Sequence, residues 1–292
     1  MNKKKIQFII NPISGVGRHK LIEKYLDKKL DKSIFDHKIS YTQAPRHGTK
    51  IAGEAIKNEY EIVVAVGGDG SINEIAQKLT GTNTILGVIP TGSGNGLAHH
   101  LKIPVNIINA IEVINKLKTI KIDTATINDK LFVSIAGVGF DAHVAKKFAK
   151  NKRRGFLTYF KIVAKEYPRY KPKNYELIID GKKFNREALF ISFANSDQFG
   201  HYASIAPKAE IDDGLIDVCI VNKFPLVEVP FIAHLLYWKQ IDKSKYIEII
   251  KAKEIKLIQE KNRTINLDGE PVKIGKELFI KINPLSLKII VP

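Results

Sequence analysis

Glu61-Ile62-Val63-Val64-Ala65-Val66 runs directly into Gly67-Gly68-Asp69-Gly70-Ser71-Ile72-Asn73-Glu74. The first six residues are rich in β-branched side chains and short enough for a buried strand. Ile72, Ile75, Ala76 and Leu79 then recur at helical spacing. Between strand and helix lies a loop of three glycines around one acid. Glycines let backbone amides approach phosphate oxygens with no Cβ in the way. A helix N-terminus adds positive potential. Open α/β sheets bind ligands beyond the carboxyl ends of their strands. A plain turn also favours Gly and Asp, but it does not need three glycines around an acid. Asp69 would repel a bare phosphate, so its place calls for a metal ion or a substrate hydroxyl nearby.

On both sides of this stretch, strand and helix patterns alternate. Residues 6–11, 35–41 and 84–89 read as strands. Leu21, Ile22, Tyr25, Leu26 and Leu30 mark one helix, and Ile51, Ala52, Ala55 and Ile56 another. This order predicts a parallel sheet covered by helices. The pattern changes near residue 123. Residues 120–127 and 131–136 flank Asn128-Asp129-Lys130 as a hairpin, and helices follow at about 142–150 and 156–167. Strands are then predicted at 175–180, 188–194, 216–221, 255–259, 264–267, 278–282 and 287–291, interrupted by one amphipathic helix at about 226–240. Short strands separated by turns indicate an antiparallel sandwich. The expected fold is α/β: a Rossmann-like parallel-sheet domain (1–123), then a mostly antiparallel β-sandwich domain (124–292). The last strand is a candidate to pack back on the first domain.

Two further loops echo the first. Asn11-Pro12-Ile13-Ser14-Gly15-Val16-Gly17 follows the first strand, and Pro90-Thr91-Gly92-Ser93-Gly94-Asn95-Gly96 follows the strand at 84–89. Three such loops after strands of one parallel sheet form a concave, amide-lined surface. None of them matches the Walker A pattern or a full G-x-G-x-x-G. Gly137-Val138-Gly139-Phe140-Asp141-Ala142 fits G-x-G-x-x-A, but it lies outside a βαβ unit and reads as a tight structural turn. Asp268-Gly269-Glu270 and Asp212-Asp213-Gly214 read, on their own, as turns.

Together these motifs resemble the diacylglycerol kinase catalytic superfamily, which includes bacterial soluble diacylglycerol kinases and related lipid kinases, sphingosine kinases and ceramide kinases. The resemblance spans nearly the whole chain. It runs through Asn11-Pro12 with Ser14-Gly15, the loop 67–74, residues 90–95, Phe132 to Ala142, Ala206-Pro207 with Asp212-Asp213-Gly214, and Leu267-Asp268-Gly269-Glu270. It implies that the first domain binds ATP, with Asn11, Pro12, Ser14, Gly15, Thr42, Gly67, Gly68, Asp69, Gly70, Ser71, Asn73, Glu74, Gly92, Ser93 and Asn95 around the nucleotide. It implies a lipid site on the strand domain and catalysis in the cleft between domains. It further implies a structural magnesium held by Asp213 with groups of Glu210 and Leu215, and Asp123 as a second acidic position. Glu270 matches the proton acceptor of the bacterial diacylglycerol kinases, whereas Asp69 matches the favoured base of sphingosine kinases. Both stay open as the base.

One departure bears on the substrate. The bacterial loop usually reads Gly-Thr-x-Asn-Asp, but here Gly96 stands at the second acidic position. The Pro-x-Gly-Ser-Gly-Asn wording is closer to sphingosine kinases, which weakens transfer of diacylglycerol itself. The implied function is transfer of the ATP γ-phosphate to a lipid alcohol: diacylglycerol, a sphingoid base or phosphatidylglycerol. An NAD-kinase-like small-molecule kinase and a non-catalytic basic membrane-binding protein are the alternatives. The chemistry agrees independently, because phosphoryl transfer needs phosphate cradling, a divalent cation and an acid near the hydroxyl.

Composition narrows the rest. The chain has 292 residues, 44% hydrophobic and 26% charged, which excludes a disordered or fibrous chain. One cysteine excludes an internal disulfide. Cys219, in an apolar strand, reads as a buried structural thiol, and His99-His100 as surface residues at a helix end. Tyr237 and Trp238 read as core or rim of their helix. No stretch reaches the roughly 20 apolar residues of a membrane span, so a cytoplasmic protein with peripheral membrane contact is expected. The net charge of +17 suggests a polyanionic partner. Residues 141–173 carry eleven Lys or Arg against two acids, interleaved with aromatic residues. That pattern fits an anionic membrane surface or a solvated helix face. No nucleic-acid-binding motif is present, and exposed sandwich edges make a homodimer plausible.

Overall fold

The computed structural model describes residues 3–14, 19–151, 155–200 and 203–292. Two compact units emerge. One comprises the N-terminal stretch through Ile122 together with Leu285–Pro292; the other is Asp123–Pro284.

The first unit runs β1 (Lys4–Ile10), α1 (His19–Lys29), β2 (Phe35–Tyr41), α2 (His47–Lys57), β3 (Ile62–Gly67), α3 (Asp69–Leu79), β4 (Ile85–Pro90), α4 (Gly96–His100) and α5 (Ile107–Lys116). Strands β2, β1, β3 and β4 lie side by side and all pair in parallel. Every residue of β3 is buried, as a strand covered on both faces requires. Ile22 and Leu26 of α1 and Ile111 and Ile114 of α5 pack against Ile6, Phe8, Val64 and Ile89. Helix α5 escapes the pattern reading although its signal is present: Asn106 accepts from the amides of Ile108 and Asn109, capping an apolar 3.6-residue repeat.

The second unit begins within β5 (Thr119–Ile127) and continues through β6 (Lys130–Phe132), β7 (Ile135–Gly139), α6 (Phe140–Ala149), α7 (Phe156–Glu166), β8 (Lys173–Ile179), β9 (Lys182–Ala188), β10 (Phe190–Ala194), β11 (Ile216–Val221), α8 (Val229–Tyr237), β12 (Ile247–Ala252), β13 (Glu254–Gln259), β14 (Arg263–Leu267), β15 (Glu270–Ile274) and β16 (Glu277–Ile290). Strands β16, β13, β8 and β9 form one antiparallel ladder, while β12, β11, β10, β7, β14 and β15 form another. Leu177, Leu257 and Leu278 of the first ladder share a core with Phe193, Val218 and Ile265 of the second. The C-terminal end of β16 pairs with β4 in parallel, Ile289 beside Leu86.

Several elements differ from the pattern reading, each for a local reason. The strand expected at 131–136 splits into β6 and β7, in different sheets. Between them, the Val133 and Ser134 amides donate to the Asp268 carboxylate instead of a ladder. The strand expected at 188–194 likewise divides, Leu189 carrying the chain from one sheet to the other. Strand β9 is largely exposed and charged and so lacks an apolar stripe, while β15 is five residues long with only Val272 and Ile274 packed on the core. The two last strands are one, β16, interrupted by Leu285 at φ 47°. The helix expected at 226–240 is a 3-10 turn, Leu226–Glu228, followed by α8.

Candidate active site

Because β1, β3 and β4 are parallel neighbours, their carboxyl ends lie along one edge of the sheet. The Asn11 amide donates to Val66 O (3.0 Å) and the Thr91 amide to Gly67 O (2.9 Å). The Asn11 side chain donates to Ser71 Oγ at 3.0 Å, and the Thr91 hydroxyl to Ser14 Oγ at 3.1 Å. The three loops are therefore stitched together, with Thr91 as a link that sequence reasoning did not single out. Gly68 and Gly92 meet backbone to backbone: a Cβ on Gly92 would lie 2.4 Å from the Gly68 Cα. A Cβ on Gly67 would fall 2.4 Å from Ser71 Oγ.

Gly68, in extended conformation, is the N-cap of α3 and contributes no side-chain cap. The first-turn amides thus meet the ligand edge with their partial positive charge. Asp69 and Gly70 are the first helical residues. Asn95 adopts left-handed geometry (φ 54°, ψ 42°) and donates through Nδ2 to Gly92 O at 2.8 Å. Its Oδ1 is buried and, among the described residues, accepts no hydrogen bond. Such an acceptor suits a ligand hydroxyl or amine. Ser93 is exposed on the same loop and Pro12 half-buried. The Thr42 amide follows β2 and donates to Ile10 O at 2.9 Å. Gly15 lies outside the described residues.

Two predicted nucleotide residues also bond within the protein. Glu74 accepts from the Arg46 amide (2.8 Å) and the Gly48 amide (3.2 Å), tying α3 to the first turn of α2. Asn73 is buried and accepts from Gln77 Nε2 at 2.7 Å. Glu74 thereby positions the helix behind the glycine loop, while the Asn73 bond lies within α3 itself.

In the second unit, Asp123 is buried and clasps the loop 210–215. Its amide donates to Ile211 O (2.8 Å), and its Oδ2 accepts from the Gly214 amide (2.7 Å). Its carbonyl accepts from Asn195 Nδ2 at 2.9 Å. Asp213 accepts from the Leu215 amide at 2.9 Å and pairs with Lys251 at 2.5 Å. Lys251 stands directly opposite Asp217 in the β11–β12 register. Burial pushes the Asp217 carboxyl up to about 6; Lys251 opposes this, while Asp213 and Glu210 add to it. Hard carboxylate and carbonyl oxygens suit magnesium. The Glu210–Leu215 loop supplies them, and Lys251 already neutralises Asp213 there. Among the described residues no three His, Cys, Asp or Glu side chains cluster as a metal site, so such an ion would depend on Asp213 together with main-chain oxygens.

Glu270 is exposed and opens β15 on a separate hairpin, after Asp268 (φ 46°) and Gly269 (φ 87°). Asp268 holds this hairpin by accepting the amides of Val133, Ser134 and Ile135 at 2.8–3.0 Å. Asn266 accepts from the Gly269 amide at 2.9 Å and donates to buried Asp141 at 2.9 Å. Gly137 leaves room for that carboxylate, since a Cβ there would lie 2.3 Å from Asp141 Oδ2. The motif 137–142 is thus a packing device. Asn195 and Asn266 went unnoticed in the sequence, and Asp268 read only as a turn residue, because distant partners alone give them these roles.

A family model described as the diacylglycerol kinase catalytic domain matches residues 5–127, and one described as the YegS C-terminal NAD kinase beta sandwich-like domain matches 134–291. A diacylglycerol kinase from Bacillus subtilis (strain 168) is 28% identical over 275 residues, covering 91% of this chain and 90% of that protein. A diacylglycerol kinase from Staphylococcus epidermidis is 28% identical over 273 residues, covering 92% and 86%. The crystal structure of a diacylglycerol kinase from Bacillus anthracis str. Sterne shares the fold, with TM-score 0.76 at 21% identity over 100% of this chain and 98% of that one. Fold, loops and relatives define an enzyme of the lipid kinase class. The chain belongs to the diacylglycerol kinase catalytic family, with its YegS-type C-terminal domain.

Proposed function

We propose that this enzyme transfers the γ-phosphate of ATP to a hydroxyl of diacylglycerol or a related lipid alcohol, such as a sphingoid base or phosphatidylglycerol. The observation that carries the reading is the backbone contact of Gly68 with Gly92 at the start of α3, beside Asp69. It leaves amides and a helix N-terminus, with no side chains between them, where phosphates would lie. Residues 1–123 are assigned to ATP and 124–292 to the lipid. Asn11, Ser14, Thr42, Gly67 to Ser71, Asn73, Gly92, Ser93 and Asn95 surround the nucleotide; Glu74 holds the helix that presents it.

Magnesium bound to the triphosphate neutralises charge that builds on the transferred group. A second, structural ion is assigned to Asp213 with Glu210 and the Leu215 carbonyl, and Asp123 anchors that loop. In the reaction the lipid hydroxyl oxygen bonds to the γ-phosphorus as the bond to the β–γ bridging oxygen breaks. ADP leaves with the bond's electron pair, and the hydroxyl proton passes to a carboxylate. Glu270, exposed at a turn that Asp268 immobilises, is assigned that proton. Asp69, inside the glycine loop, is assigned to nucleotide and metal positioning.

Among the described residues no helix is long and apolar enough to cross a membrane; the lipid is assigned to peripheral contact on the strength of one basic surface. Lys147, Lys150, Lys161 and Lys165 line a groove on α6 and α7 together with Leu157 and Ile162. This basic, partly apolar surface suits anionic headgroups. A panel of lipid alcohols in mixed vesicles, incubated with the full chain and labelled ATP, tests the substrate. The reading expects label on a lipid hydroxyl; label on a soluble nucleotide alone would favour an NAD-kinase-like activity instead.

A further inference from the structure

Twelve large apolar side chains are exposed among the described residues, and five of them (Leu226, Val227, Phe231, Tyr237 and Trp238) fall within residues 226–238. Helix α8 reads Val-Pro-Phe-Ile-Ala-His-Leu-Leu-Tyr and contains no charged residue. Ile232 and Leu235 bury its inner face against Ile241 and Tyr246. Its outer face is Pro230, Phe231, Ala233, His234 and Tyr237, all exposed, with Val227 before it at 84% exposure and Trp238 after it at 59%. A surface helix in water carries polar residues there. A contiguous apolar ridge marks an interaction site.

What the ridge adjoins indicates its partner. Phe224 and Val229, at the start of α8, and Ile162, in the wall of the basic groove, all pack against the buried cluster of Phe140, Tyr167 and Tyr170, and the Phe224 and Tyr167 ring centroids lie 5.1 Å apart. The Tyr167 hydroxyl donates to Phe224 O at 2.6 Å, and Lys223 Nζ to Tyr170 O at 2.7 Å. The apolar ridge and the lysine-lined groove of α6 and α7, where Leu157 is also exposed, thus border the same buried cluster. Exposed Lys223, Lys243 and Lys245 bracket the ridge in sequence. Apolar residues flanked by lysines, with Tyr and Trp at one end, match the chemistry of a bilayer interface. A second copy of the chain fits less well, because a two-fold contact would bring the same basic border to both sides of the interface with no acidic patch to meet it among its described residues.

We propose that the outer face of α8 and the turn before it insert into the headgroup–acyl boundary of an anionic bilayer, with Phe231 and Trp238 as anchors. The inference deepens the lipid-substrate reading and rests on it for the choice of partner. It is tested without any phosphotransfer.

Trp238 is the single tryptophan of the chain, so native fluorescence reports on the ridge. The full chain is titrated, without ATP, with vesicles of phosphatidylcholine alone or mixed with phosphatidylserine. Expected are a blue shift with the anionic vesicles and quenching by acyl-brominated lipid. Val227→Asp with Phe231→Asp should weaken vesicle binding about tenfold or more and leave ATP binding and circular dichroism unchanged; Phe231→Leu should keep binding. Bound protein whose Trp238 is neither shifted nor quenched overturns the proposal whether or not the variants fold. So does a double variant that separates a dimer while binding vesicles like wild type. Insertion with no lipid phosphorylated in the panel would reject the kinase substrate and leave this surface standing. Lipid phosphorylation in detergent without insertion would do the reverse.

Discussion

Gly92 presses its backbone against Gly68: a Cβ on Gly92 would fall 2.4 Å from the Gly68 Cα and 2.9 Å from Asn95 Oδ1. Neither atom can retreat cheaply. One is main chain, and the other belongs to a side chain fixed by its bond to Gly92 O. Gly92→Ala should therefore spread the two loops and weaken ATP binding at least tenfold. Gly53→Ala in α2 is the contrast, since nothing lies within 4 Å of a Cβ there. It should stabilise by about 0.5–1 kcal/mol and leave ATP binding alone. Calorimetric titration and thermal melts of the two variants check both statements.

The roles of Glu270 and Asp69 separate by where each stands. A general base contributes typically ~10²–10⁴-fold. Glu270→Gln should lower kcat by about that factor while ATP affinity stays near wild type. Asp69 is the first residue of α3, within the glycine loop. Asp69→Asn should disturb nucleotide or metal binding as well as turnover. Single-turnover transfer together with ATP binding in each variant decides. Wild-type single-turnover rates in Glu270→Gln would move the base to Asp69.

The sheet of the first unit was readable because its strands are continuous apolar runs that end in glycine loops. Strand β3 and its loop alone predict a parallel sheet with a ligand edge. The sandwich was less readable. Strand β9 exposes most of its side chains, β15 is too short to show a pattern, and Val133 and Ser134 leave the ladder for the Asp268 carboxylate. That carboxylate reaches Val133 across 135 residues of chain, a separation no local pattern records. The glycine motifs were visible as loops; that Glu74 serves the first turn of α2 became visible only once the two helices were seen side by side.

Asp213 gives a metal-removal test. Anything that binds only the folded state stabilises it, by about 2.7 kcal/mol at a hundred times its Kd. Magnesium should raise the melting temperature of the unit that contains Asp213, and a chelator should lower it. Asp213→Ala should melt lower and no longer respond to magnesium. Equal melting temperatures of wild type with magnesium and with chelator would remove the structural ion from this loop.

Burial pushes the Asp141 carboxyl up to about 6, against the opposing Asn266 hydrogen bond. The folded state therefore holds this proton more tightly than the unfolded chain does. Stability contributed here is full below ~4 and is lost as pH rises from ~4 to about 6. Asp141→Asn keeps an oxygen for the Asn266 donor and carries no charge to bury. It should be more stable than wild type at pH 7.5, by up to ~3 kcal/mol, and lose most of that advantage at pH 4. Denaturant unfolding of both proteins at the two pH values shows it; an equal difference at each pH would contradict the shift.

The central claim is phosphoryl transfer from ATP to a lipid hydroxyl. The most direct measurement is the distribution of label after incubating the full chain, magnesium, γ-labelled ATP and vesicles containing diacylglycerol, a sphingoid base or phosphatidylglycerol. Label should enter the solvent-extractable lipid fraction with at least one of these alcohols, and Asp69→Asn should nearly abolish it. Label that stays wholly in ATP, inorganic phosphate or a soluble nucleotide with every alcohol would contradict the account.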